Sequence, residues 1–157
     1  MANLKTTIIE EITLNGNQTR LKNTHTISSV TDIMTRNVTL PASQNTTLAT
    51  FNTSEHTSDV ALDLEDVVYI RITNLHSSLP VTLSLQVSGG ENDTANMSAS
   101  ILLEDGKSFM LGSVHDGISV GDTDATVITA LTDLESIIAV CGSTAIELEM
   151  LIAKRTS

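Results

Sequence analysis

The stretch VVYIRITNLHSSLPVTLSLQV, residues 67–87, decides the fold class of this chain. Apolar side chains occupy alternate positions on both sides of an irregular segment, at Val68, Ile70, Ile72, Val81, Leu83, Leu85 and Val87. A side-chain period of two predicts extended strands with one buried and one exposed face. Two such runs joined by a short segment predict an antiparallel hairpin that covers a core on one side only. A second β layer is then needed to close the core.

Composition predicts one domain with an aliphatic core. The chain has 157 residues and no Trp, and its aromatic side chains are Phe51, Tyr69 and Phe109. Thr is abundant among Val and Ile, which favours strands over helix interiors. We expect the core to include Val68, Ile70, Ile72, Leu83, Leu85, Leu103, Phe109, Ile146, Leu148 and Met150.

Further strand patterns flank the central stretch. Residues 4–14 and 18–30 are extended runs around Asn15-Gly16, a strong type I′ turn signal. They predict an N-terminal β-ribbon or arm over residues 1–35, which would lean on its own core or on a neighbouring subunit. Short strands are expected near 38–40, 47–51, 60–64, 98–103, 108–111 and 145–153.

Residues 125–141 are ambiguous, because their apolar positions also fit helical spacing. Thr-rich composition favours two short strands split near Thr132-Asp133. With turns every 8–12 residues, the whole pattern predicts an all-β chain. The predicted architecture is an antiparallel β-sandwich over residues 36–157, an eight-stranded jelly roll.

The net charge of −11 is unevenly distributed. Residues 1–60 carry four bases and five acids, whereas residues 61–157 carry four bases and fourteen acids. An acidic surface repels nucleic acid and anionic membranes, so neither is an expected partner. Two interpretations remain: simple solubility, or a near-neutral first third that faces a partner while the acidic remainder faces solvent.

Cysteine content and the first residues indicate a protein made in a cytoplasm. Cys141 is the single cysteine, so no intrachain disulfide is possible, and its apolar surroundings predict a small core residue. The first eleven residues lack the long apolar region of a signal peptide and carry Glu10 and Glu11.

Chemistry-bearing motifs are sparse. The four histidines, His25, His56, His76 and His115, lack the spacing of a metal pair and are interpreted as solvated surface residues. Asp122 and Asp124, with Asp116 and Gly121 nearby, match part of a calcium loop, but its closing Glu is missing. Acids in loops also favour turns by bonding their own backbone, so both interpretations stay open.

No nucleophile elbow, phosphate loop or dinucleotide-binding turn occurs. Glu147 and Glu149 share one strand face opposite the apolar one, which is typical of a solvated face. We therefore expect no enzyme, no catalytic residue and no cofactor.

Four segments resemble small β-sandwich virion proteins of tailed bacteriophages, of the head decoration or cement type. They are VYIRITNL at 68–75, VTLSL at 81–85, ILLEDGKSFML at 101–111 and the closing strand at 145–153. In that family a strand of the form v-x-I-x-N is followed by a second apolar strand and a turn of the form L-x-x-G-x-s-f-x-L. The resemblance covers residues 60–153.

The resemblance implies a structural virion protein, a homotrimer on the capsid exterior that braces the major capsid protein lattice and stabilises the head. Residues 1–35 would be the segment that reaches a neighbour or the lattice. Two alternatives remain: another virion component such as a tail or fibre-base protein, and a calcium- or carbohydrate-binding jelly-roll module.

Overall fold

The computed structural model describes residues 2–52, 61–87, 97–120 and 131–155, and it confirms an all-β sandwich. Within these ranges there is no helix, and eleven strands occur rather than the predicted eight. The strands are β1 Ala2–Leu14, β2 Asn17–Val30, β3 Asp32–Leu40, β4 Thr46–Asn52, β5 Ala61–Asp63, β6 Val67–Asn74, β7 Val81–Val87, β8 Met97–Leu103, β9 Ser108–Leu111, β10 Leu134–Cys141 and β11 Ile146–Lys154.

Strands β1 and β2 form a separate two-stranded antiparallel ribbon. Its turn is Asn15-Gly16, with φ of 51° and 80°, as the sequence predicts for a type I′ turn. The ribbon ends at Val30 and the sandwich begins with β3 at Asp32, whereas the sequence division ended the arm at residue 35.

The other nine strands make two stacked sheets. The first sheet has the order β3-β11-β6-β9, and the second sheet has the order β5-β4-β10-β7-β8. Pairing within them is antiparallel except between β4 and β5. If β5 is set aside, the remaining eight strands have the order of a jelly roll, with consecutive strands alternating between the sheets except for β7 and β8, which pair in the second sheet. The three strands beyond the predicted eight are therefore β1 and β2 of the ribbon, and β5.

Residues 67–87 do not form the predicted hairpin. β6 belongs to the first sheet and β7 to the second, so the segment between them is an arch that crosses the sandwich. Asn74, which is fully buried, holds this arch through its side chain. Its Nδ2 donates to the carbonyls of Leu79 at 2.8 Å and Leu103 at 3.2 Å, and its Oδ1 accepts the amide of His76 at 3.0 Å. Alternation alone predicts the exposed face of each strand but not its pairing partner.

The core lies between the facing sides of the two sheets and is aliphatic, as the composition predicts. Two core predictions are wrong in detail. Val68 is half-buried and Val67 is buried in its place, because the pairing of β6 with β11 shifts register there and an extra residue reverses the alternation. Phe109 lies on the short edge strand β9 and is only partly buried against the core. The other eight predicted core residues are buried.

Where it is described, the ambiguous segment contains no helix and is mostly strand. Thr132 forms an isolated bridge with Ile118, and β10 follows from Leu134 as a central strand of the second sheet. Cys141 ends β10 with 5% exposure, which confirms a core position. Residues 125–130 of this segment lie outside the described residues.

Candidate interaction surface

The ribbon has one apolar face, which follows from its register. Leu4, Ile8, Ile12 and Leu14 lie at even positions of β1, so their side chains share a face, on which Thr6 and Glu10 also lie. Antiparallel pairing brings Leu21 and Ile27 of β2 to the same face, opposite Glu10 and Leu4. These six side chains are the ribbon's apolar face.

The opposite face of the ribbon is polar apart from Ile9. Arg20 and Glu11 form an ion pair there, with 2.8 Å between Nε and Oε1. Thr7 and Thr24 share a hydroxyl hydrogen bond at 3.3 Å. The ribbon is therefore amphipathic, although both its faces are mostly exposed.

The sandwich covers only the base of the ribbon. Ile8 and Ile27 line an open groove of about 410 Å³ with Tyr69 and Met110, which point outward from β6 and β9 of the first sheet. A continuous groove brings residues 4–9 of β1 against Tyr69, Met110 and Leu151. The ribbon therefore sits on the outer side of the first sheet.

The outer half of the ribbon, residues 10–21, has no such cover. Ile12, Leu14 and Leu21 are 59%, 64% and 61% exposed. A monomeric protein gains no stability from aliphatic side chains left in water, and contiguous exposed apolar groups mark interaction surfaces.

Charge also separates the ribbon from the sandwich. Residues 1–30 carry three bases and two acids, a net charge of +1, and residues 31–157 carry five bases and seventeen acids, a net charge of −12. The sandwich of one copy therefore repels that of another and attracts the ribbon, within the range set by salt.

The central part of the outer side of the second sheet is an uncharged exception on this acidic sandwich. Its central positions are Thr82, Ser84 and Gln86 of β7, Ser98, Ser100 and Leu102 of β8, and Ser136, Ile138 and Val140 of β10. We call these nine residues the neutral face. Leu102 is 61% exposed, and Glu135, at a bulge, marks the end of the face. The sequence shows that the outward positions of these strands are uncharged, but it does not show that β7, β8 and β10 are neighbours.

A cluster of three ionisable side chains lies between β9 and β10. His115 Nδ1 is 3.0 Å from Asp133 Oδ1, and His115 Nε2 is 3.3 Å from Asp116 Oδ2. Asp133 Oδ1 also accepts the amide of Asp116 at 2.8 Å, where Asp116 has a φ of 47°. Their ligand-type atoms lie within 4.8 Å of one another, which suits a cation. The same bonds also complete a turn, so the geometry serves the loop without an ion.

The remaining sequence-identified residues fall into three groups. Asp122, Asp124, Gly121 and His56 lie outside the described residues. His25 lines the groove at the ribbon base. His76 is partly buried, and its Nδ1 accepts the amides of Ser78 at 3.1 Å and Leu79 at 3.0 Å, so it is a structural residue of the arch rather than a purely solvated histidine.

The two strand carboxylates point outward from the first sheet, as predicted. Glu149 pairs with Arg71, and Glu147 accepts a hydrogen bond from Asn37 Nδ2 at 2.9 Å. Each carboxylate thus has a cross-strand partner on a solvated face. Across the described ranges, the structure contains no helix of the length and hydropathy needed to span a membrane.

Comparisons with known proteins identify no family for this chain. No protein-family model matches the sequence, and no curated protein matches it significantly. The resemblance to phage decoration proteins therefore stays a prediction.

Two solved structures show a low similarity. One is a chain of Bacillus endospore appendages, described as a novel family of disulfide-linked pili, with 14% identity and a TM-score of 0.38 over 80% of this chain and 89% of that chain. The other comes from the structure of infectious bursal disease virus Gx strain, with 10% identity and a TM-score of 0.26 over 94% of this chain and 37% of that chain. At these scores the function of neither protein transfers to this chain.

Proposed function

We propose that this chain is a structural virion protein, which binds the exterior of a phage capsid as an oligomer and stabilises the head. The role requires a rigid subunit with surfaces for neighbours, and it requires no catalytic group or cofactor. The sequence resemblance supports the virion assignment.

The observation that carries the proposal is the amphipathic ribbon, which leaves three large aliphatic side chains in water beyond an acidic sandwich. A ribbon of two strands is marginal alone, so its outer half gains order when its apolar face is covered. When a partner covers that face, its apolar surface leaves water, and this burial contributes favourably to the free energy of binding.

The sandwich provides the rigidity that such a subunit needs. Its aliphatic core is continuous between the two sheets, and Asn74 ties the arch before β7 to the end of β8. Many identical weak contacts around a closed shell then add through multivalency, so each single contact can be modest.

The test is sedimentation of the purified chain with heads isolated from the virus whose genome encodes it. We expect saturable binding in fixed proportion to the capsid subunit, and heads that resist heat better when the chain is bound. Gold labelling in electron micrographs places the bound chain. Signal on the head supports decoration, signal at the tail or fibre base supports the alternative virion role, and no binding to any virion contradicts the proposal.

A further inference from the structure

We infer that the outer half of the ribbon's apolar face docks on the neutral face of a second copy of this chain, in a head-to-tail contact. The inference deepens the proposed function, on which it rests, by naming the surfaces that form the oligomer. Both surfaces lie within the described residues.

Both surfaces carry little charge. Seventeen acids lie on residues 31–157, so most of the sandwich opposes contact between copies. The neutral face is uncharged at its nine central positions, and the outer half of the ribbon, residues 10–21, carries two acids and one base, a net charge of −1, with Glu11 paired to Arg20. The approach of a ribbon to a neutral face therefore avoids the repulsion that most other pairings of two copies would meet.

The two surfaces also match in size and chemistry. Five residues of each ribbon strand, 10–14 and 17–21, extend over about 17 Å, and the seven residues of β7 extend over about 23 Å. Leu102, Ile138 and Val140 place aliphatic groups on the neutral face, and the ribbon offers Ile12, Leu14 and Leu21. Sheet packed on ribbon in this way would resemble the packing of two β layers.

The two surfaces lie on opposite sides of the sandwich. The ribbon sits on the outer side of the first sheet, and the neutral face is the outer side of the second sheet. The contact therefore joins two different surfaces, and such heterologous contacts build closed rings or open stacks, depending on the rotation between copies. The proposed homotrimer is the closed case.

The experiment measures mass in solution by light scattering for the wild-type chain and two exposed-site variants. Leu14→Glu places a charge on the ribbon's apolar face, and Leu102→Glu places one on the neutral face. We expect the wild type at a multiple of 16.7 kDa and each variant alone at 16.7 kDa. The matched controls Gln18→Glu, on the ribbon's polar face, and Thr35→Glu, on the outer side of the first sheet, should keep the wild-type mass.

Mixing the two variants gives the sharper result. Leu102→Glu keeps an intact ribbon and Leu14→Glu keeps an intact neutral face, so an equimolar mixture should form one intact contact and a 1:1 dimer. Far-UV circular dichroism is the control that checks whether each variant is folded.

Several results overturn the inference. One is a Leu102→Glu variant that keeps the wild-type mass, since the ribbons would then pair with each other. Another is a mixture that stays monomeric. A monomeric wild type that still binds heads overturns the inference and leaves the proposed function standing, because the ribbon would then meet the capsid. A monomer that binds phosphatidylglycerol vesicles instead identifies a lipid surface as the occupant.

Discussion

Replacing Asn74 by alanine tests how the arch between the two sheets is held. The Asn74 side chain is 0% exposed and makes three hydrogen bonds, to the carbonyls of Leu79 and Leu103 and the amide of His76. Its own backbone is also fixed, because its amide donates to Lys107 at 3.0 Å and its carbonyl accepts from Gly106 at 3.1 Å. Asn74 therefore joins the β6–β7 arch to the end of β8 through its side chain and to the β8–β9 turn through its backbone.

The size of the effect follows from those bonds. Each net hydrogen bond contributes about 1 kcal/mol, so Asn74→Ala should lower the free energy of unfolding by about 3 kcal/mol. A domain of this kind is stable by about 5–15 kcal/mol, so the loss is a large fraction of the total. Asn74→Asp should cost more than alanine, because a carboxylate donates nothing to two facing carbonyls and is buried with its charge.

Urea unfolding followed by far-UV circular dichroism measures the loss, since the chain has no Trp to report by fluorescence. The matched control is Thr73→Ala on the same strand, which removes one exposed bond of 2.8 Å to Ser108 and should cost about 1 kcal/mol or less. Equal losses for Asn74→Ala and Thr73→Ala would refute the claim that Asn74 holds the arch.

Two further predictions concern the core and the ribbon turn. Leu83→Asp should unfold the domain, because Leu83 is 0% exposed and an unpaired buried charge costs several kcal/mol; a soluble variant with wild-type unfolding would contradict its inward orientation. Gly16→Ala should destabilise the ribbon alone by about 1–2 kcal/mol, because Gly16 has a φ of 80°, a left-handed backbone conformation that a side chain disfavours. The Cβ position itself lies in open space, so no clash adds to this cost. Amide hydrogen exchange should then accelerate at Leu14 and Asn17, the hydrogen-bonded pair next to the turn, but not in β7, and unchanged exchange in the ribbon would count against the turn assignment.

The candidate surface was only partly predictable. Exposed apolar residues of the ribbon follow from alternation on either side of Asn15-Gly16, because a two-residue turn sets the register of both strands. The neutral face was not predictable, because it depends on three strands that are distant in sequence: β7 and β8 pair with each other, and β10 pairs with β7 from the far end of the chain. The cation hypothesis at Asp122 and Asp124 falls outside the described residues, so it stays a prediction.

The sequence by itself determined the all-β class, the ribbon turn and most of the buried positions. These properties are local, since a period of two and the positive φ of Asn15-Gly16 depend on a few consecutive residues. Only the tertiary structure decided that β6 and β7 lie in different sheets and that Val67 replaces Val68 in the core. Strand pairing depends on all the strands of the chain together, so it cannot be read from one segment. Here the fully buried Asn74 side chain satisfies backbone carbonyls at the arch between β6 and β7, and a hairpin would contain no such arch.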